Sequence, residues 1–424
     1  MAREVNSNIA APTHHRAVVP FYAYAALCIL ASSLLIFFSA EELTGHHFQP
    51  KIIALAHLMA LGWATMVILG ASHQLIPVLV ETELFSEKIA SATFWCAAVG
   101  IPILVYGFAT FDLSILVVTG GILINFSIIS YVINLFCSFI KKPKTDVHAM
   151  FILTASLWLL LTTLLGLLLA INFTRPMLSR DSLHFLTLHA HIGILGWFLL
   201  LVTGVASKLI PMFLISKYED KKMLYVIFGA INLGLLIFIL LFLLGNGNAY
   251  ALPALLIASA IFLFIYYCYR CFKERLRKRV DKPVKLSLVS VLATVLPLIL
   301  FYFINNGSAI MLNKGIANAY GAIIFFGWLT ALIFGMTFKT LPFIIWNKLR
   351  LRNPTSGNLN DPRQLYSERD FKILMWTYVA GVILLAVAIL FALPNFIKIS
   401  AVLLVFASLF FNINIWRMIT RKKL

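Results

Sequence analysis

Charge is what this sequence has least of. Of 424 residues only 12% are charged, and 16 Asp or Glu stand against 34 Lys or Arg. With 61% hydrophobic residues there is too little polar surface to cover a soluble domain, so a water-soluble globular fold is excluded. Cysteine is also sparse. Cys28, Cys96, Cys137, Cys268 and Cys271 lie scattered on or near apolar runs. The C-x-x-C spacing of Cys268 and Cys271 is read as two ordinary apolar cysteines at a helix end. Ten histidines occur, and none after His191, although more than half the chain remains. The first 18 residues are polar and lack a small-residue cleavage site, so no cleavable signal is expected.

What the chain does have is long apolar runs. About twelve stretches are long enough to cross a hydrocarbon layer roughly 30 Å thick. They fall near 19–39, 50–79, 88–110, 113–140, 146–173, 182–213, 222–243, 248–272, 284–305, 316–346, 371–392 and 395–416. The expected fold is an all-α membrane protein with about twelve transmembrane helices, and its first partner is the lipid bilayer. Residues 1–18 form an N-terminal tail, 19–416 a single membrane domain, and 417–424 a basic tail.

The net charge of +18 follows the topology. Arg3 and Arg16, Lys141, Lys142 and Lys144, Lys217, Lys221 and Lys222, the stretch "KERLRKRVDKPVK" (273–285), Lys348, Arg350, Arg352, Arg363 and Arg369, and the terminal "RKKL" all fall on one side if the helices alternate. The positive-inside rule then places both termini in the cytoplasm, as in a multi-pass protein of the cell inner membrane. Attraction to anionic lipid accounts for the excess charge, and no nucleic-acid partner is expected.

One phrase is written three times. "HLMALGWATMVILGASHQLIPVL" (57–79) aligns with "HIGILGWFLLLVTGVASKLIPMF" (191–213) and with "AIIFFGWLTALIFGMTFKTLPFI" (322–344). Gly62, Trp63, Gly70 and Pro77 match Gly196, Trp197, Gly204 and Pro211, then Gly327, Trp328, Gly335 and Pro342. The copies fall on the second, sixth and tenth spans. Three units of about four helices follow, near 19–140, 146–272 and 284–416, arranged as pseudo-symmetric arcs. The glycines permit close helix approach in lipid. The histidine is kept in two copies, His57 and His191, and replaced in the third by Ala322.

The histidines separate by depth. His14 and His15 lie in the tail and His46 and His47 in the first outer loop. His73 lies roughly 24 Å below His57 at 1.5 Å per residue, and His148 opens the fifth span; neither reaches an outer cluster. His57, His184, His189 and His191 remain as metal-ligating candidates. An imidazole inside a membrane is expensive and marks a functional position, and a neutral ring nitrogen is a common metal ligand. His57 and His191, at matching depth in two repeats, are expected to face each other and clamp a metal or a heme iron. In "LHAHIGILGW" (188–197), residues two apart differ by about 200° around an α-helix, so His189 and His191 point to opposite faces and serve separate centres. His184 shares the face of His191, seven residues before it and about 10 Å nearer the outside. Arg175 and Arg180 precede this helix on the outer side and are candidates to pair with heme propionates. Lys208 and Lys339, equivalent to Gln74 in the first copy, are read as snorkelling to the interface. A rival reading is a cofactor-free transporter or metal permease whose imidazoles line a pathway.

Twelve spans in three arcs and the phrase "HAHIGILGW…LIP" resemble the catalytic subunit I of the heme-copper oxidase and nitric oxide reductase superfamily. "GASHQLIPVLVE" (70–81) is similar to the end of the second helix in the nitric oxide reductases, and the NnrS family is a looser match. The resemblance implies a b-type heme protein engaged in electron transfer or in oxidoreductase chemistry on nitric oxide or oxygen, supplied by a cytochrome or quinol donor. It implies His57 and His191 as axial ligands of a low-spin heme b, and His189 as proximal ligand of a second, high-spin heme. The sequence departs from the family in two ways. The H-x-H lies on the sixth span, and the seventh span, "KMLYVIFGAINLGLLIFILLFLL" (222–244), has no histidine, which leaves the family's copper site incomplete. No C-x-x-C-H motif for covalent heme attachment occurs.

Overall fold

The computed structural model describes residues 13–80, 83–140, 146–246, 249–305, 315–352 and 361–421. Arg3, Lys141, Lys142, Lys144 and residues 422–424 lie outside the described residues. Among the described residues, twelve helices are long and apolar enough to cross a membrane. The first unit comprises α1 (His15–Phe38), α2 (Pro50–Leu75), α3 (Glu87–Ala109) and α4 (Ile115–Ile140). The second comprises α5 (Val147–Thr174), α6 (Ser182–Leu214), α7 (Lys221–Leu243) and α8 (Ala251–Lys273). The third comprises α9 (Lys282–Ile304), α10 (Ile316–Arg350), α11 (Glu368–Leu390) and α12 (Pro394–Thr420). Side-chain oxygens of Ser86, Asp181, Asp220 and Ser367 accept hydrogen bonds from the free N–H groups that open α3, α6, α7 and α11.

In each unit the third and fourth helices pack as a hairpin and the first packs on the second. The ring closes because α12 packs along α1. The three helices that carry the repeated phrase, α2, α6 and α10, form the inside. The most apolar windows of α2 and α10 are 67% and 72% buried, against 22% for the lipid-facing α7. The basic loops gather at one end of the bundle, called here the basic end.

The repeat has a packing reason at its second glycine. A Cβ on Gly70 would lie 2.7 Å from Phe21 Cβ, one on Gly204 would run into Phe151 Cβ, and one on Gly335 would run into Ser287 Oγ and lie 2.5 Å from the Pro283 oxygen. Each inner helix thus presses on the first helix of its own unit at a position without a side chain. A second shared feature is absent from any reading of composition. Each phrase opens with a π-helical segment, Leu58–Thr65, Ile192–Leu199 and Ile323–Leu329, starting just after His57, His191 and Ala322. Such widened turns cluster at functional positions.

The tryptophans of the phrase tie the units together in rotation. Trp197 donates through Nε1 to Thr65 of the first unit (3.1 Å), and Trp63 donates to Thr330 of the third (2.9 Å). In the second unit the residue equivalent to Thr65 and Thr330 is Leu199, which has no hydroxyl, and Trp328 Nε1 is buried without a hydrogen-bond partner among the described residues. The expected outcome of Thr330→Val, which keeps the shape and removes the hydroxyl, is a loss of about 1–3 kcal/mol from stranding the Trp63 donor. Thermal unfolding in detergent measures it.

At the basic end the two repeat-equivalent lysines part company. Lys208 is exposed, as snorkelling requires. Lys339 is instead clasped by Asp281 at 2.6 Å, both side chains nearly buried, and Asp281 also bonds Arg277 at 3.0 Å. Removing the carboxylate leaves cations facing one another. Asp281→Asn is expected to cost about 2 kcal/mol, part of it recovered in the Asp281→Asn/Lys339→Met double variant, as read by chemical or thermal unfolding.

Candidate functional site

A cavity of about 730 Å³ occupies the half of the bundle away from the basic end. This lies within the range of cofactor pockets, roughly 300–1,000 Å³. Its wall is mostly apolar and includes five histidines: His46, His47, His57, His189 and His191. The Trp197–Thr65 pair lies at its floor, toward the basic end.

His57 sits at the last α-helical residue before the first π-helical segment. Its Nδ1 is 2.9 Å from the Ile53 carbonyl, so that nitrogen carries the proton and Nε2 keeps a free lone pair. The ring stacks on Phe108 with centroids 4.5 Å apart. The imidazole it faces is that of His189, with ring centroids 6.3 Å apart and planes 22° from parallel. His189 in turn rests against Gly166 of α5, where an added Cβ would lie 2.8 Å from its Cε1. Its Nδ1 is buried and has no hydrogen-bond partner among the described residues.

His191 turns the other way, as two residues along a helix require. It meets Phe238 of α7 at 5.4 Å, Phe301 of α9 at 6.4 Å and Tyr320 of α10 at 6.2 Å. Its Nδ1 is fixed to the Thr187 carbonyl at 2.8 Å, and its Nε2 is buried and unpartnered. The expected His57–His191 clamp is therefore not the pair the ring assembles. The histidine of one repeat faces the residue two places before the equivalent position in the next. His57 meets His189 by that rule and His191 meets Tyr320, whereas Ala322 and Leu55 occupy the third corner. Tyr320 is the third-repeat counterpart of His189, two residues before the repeated phrase begins.

The other candidates lie apart. His184 is outside the cavity, with its ring against Phe242 at 5.0 Å and its Nε2 3.3 Å from Arg180 Nη1. Arg175 is exposed, and neither arginine lines the cavity. His73 is fully buried toward the basic end, against Phe21 and Tyr131. His148 is satisfied by the Gly204 carbonyl at 3.0 Å and the Ser207 hydroxyl at 3.2 Å. His46 and His47 are exposed at the cavity, rings 4.2 Å apart. Burial and then the neighbouring His46 hold the pKa of His47 below the ordinary imidazole value.

Among the described residues, no three His, Cys, Asp or Glu side chains come together to hold a metal ion. A bare cation in a structural or catalytic site draws three or four protein ligands. An iron already ringed by four porphyrin nitrogens asks the protein for only one or two. With metal–nitrogen bonds of about 2 Å and the ring radius added at each end, trans imidazole centroids fall roughly 6 Å apart. The His57–His189 centroid separation is 6.3 Å. The unpartnered nitrogens of His189 and His191 and the space kept by Gly166 also fit a planar group held axially. No known protein family matches the chain, and no characterised protein is detectably similar to it.

Proposed function

We propose that the chain is a b-type heme protein of the inner membrane, with His57 and His189 as the axial pair of a low-spin heme. The observation that carries the reading is the 6.3 Å separation of two half-buried imidazoles in the wall of a mostly apolar cavity, where no cluster of three metal-ligating side chains occurs among the described residues. His57 is locked by Ile53 in the tautomer that offers Nε2, and Phe108 fixes the plane of its ring. Gly166 gives His189 the room to reach across from α6. The wall around both imidazoles is mostly apolar.

His191 is proposed to hold a second, high-spin heme on the opposite face of α6, with its Nδ1 anchored to Thr187 and the Tyr320 phenol across from it. The roles of His189 and His191 are thus exchanged relative to those the family resemblance implies. When bound, heme supplies one-electron transfer where both axial positions are filled and binding of a small diatomic gas where one is open. Nitric oxide or oxygen is the proposed substrate class, and a cytochrome or quinol the proposed electron donor. The basic end is proposed to face the cytoplasm, which puts the cavity in the outer half of the membrane.

Metal analysis of the purified protein, together with extraction of heme into alkaline pyridine, tests the reading. At least one iron and one heme b per chain are expected. Absence of both, with substrate uptake into proteoliposomes, supports the permease reading instead.

A further inference from the structure

The loop between α1 and α2 is built as a strap along the cavity. On one side the buried Asn318 of α10 donates through Nδ2 to the carbonyls of Leu43 and Gly45, each at 3.0 Å. A Cβ on Gly315 would lie 3.1 Å from the Leu43 oxygen and 3.2 Å from that of Thr44, so the start of α10 is pressed onto the loop. On the other side Lys51 bridges the Glu42 carboxylate (2.6 Å) and the Phe38 carbonyl (3.1 Å). A tie between the first and third units across one loop is a large investment for a plain connection. What the loop presents is His46 and His47, both lining the cavity and both reached by solvent. The Phe48 N–H donates to His46 Nδ1 at 3.1 Å, which makes Nδ1 the acceptor and leaves Nε2 as the proton-bearing nitrogen.

The cavity therefore has two chemically distinct ends. Three imidazoles lie deep within an apolar wall, and two more stand at the watered end with N–H groups to donate. A ligand that fits both ends is amphiphilic, with a flat apolar body and an anionic edge. Burying a carboxylate without partners is prohibitive, so such an edge settles where water and donors are available. We propose that His46 and His47 receive the carboxylates of the planar cofactor whose metal lies between His57 and His189. The proposal rests on the heme reading. It also replaces Arg175 and Arg180, the candidate carboxylate partners in the sequence, with two histidines of a different loop.

The test titrates the full-length apoprotein in detergent with two probes, hemin and hemin dimethyl ester, which lacks the free carboxylates. Wild type is expected to bind hemin more tightly than the ester. His46→Ala/His47→Ala is expected to weaken hemin at least about tenfold and to leave ester affinity unchanged. His46→Gln/His47→Gln, which keeps an N–H donor at each position and perturbs the loop least, retains most of the hemin affinity. His57→Ala weakens both probes alike. Equal hemin affinity in wild type and the double alanine variant overturns the proposal, as does an equal loss for both probes. Wild type that binds neither probe contradicts the heme reading itself, and this assignment with it.

Discussion

Replacing His57 or His189 by alanine is expected to abolish the low-spin heme bands in reduced-minus-oxidised spectra, whereas His191→Ala leaves them in place. Either change removes one of only two axial ligands, and no other described imidazole is near enough to substitute. His191, the nearest in sequence, is turned toward Tyr320. The loss in hemin affinity is expected to exceed about 100-fold, above the range for a merely supporting residue. His191→Ala is expected to remove the carbon monoxide-sensitive part of the spectrum alone. The opposite pattern, bands lost in His191→Ala and kept in His189→Ala, returns the roles to those the family resemblance implies.

The second large effect comes from a residue that ligates nothing. Gly166 faces the His189 ring so closely that an added Cβ would lie 2.8 Å from Cε1, and Gly166→Val adds two further methyl groups there. The ring must leave its place opposite His57, although its nitrogens remain in the protein. Spectra of Gly166→Val are expected to match those of His189→Ala, with most of the low-spin band lost. The apoprotein's thermal unfolding is expected to stay close to that of the wild-type apoprotein, since the ring moves into a cavity rather than into packed core. Gly229→Ala, at a position with nothing within 4 Å, serves as the control and is expected to change neither.

Much of the architecture is legible in the sequence because the bilayer imposes it. A run near 182–213 becomes Ser182–Leu214, and one near 316–346 becomes Ile316–Arg350, since an apolar stretch of that length has one stable conformation in lipid. The threefold phrase announces itself by identity, and Gly70, Gly204 and Gly335 are kept for a contact that a side chain would break. The opposite faces of His189 and His191 follow from helical geometry alone.

The partner of each histidine is a different matter. Periodicity says which residues share a face but not which neighbour that face meets, because the order of units around a ring is a tertiary fact. His57 and His191 look like natural partners by repeat equivalence. The rotation of the ring offsets the pairing by two residues, to His189 and then to Tyr320. The π-helical turns after His57, His191 and Ala322 have no clear local sequence signal. His46 and His47 read as plain loop residues until Asn318, some 270 positions away, is found holding their loop.

The most direct test of the account is low-temperature electron paramagnetic resonance of the oxidised, heme-loaded protein, read beside its near-infrared magnetic circular dichroism. The account predicts a low-spin ferric signal with the charge-transfer band of two imidazole ligands, present in His191→Ala and absent in His189→Ala. Iron that is entirely high-spin, or a bis-imidazole signal that survives in His189→Ala, contradicts it.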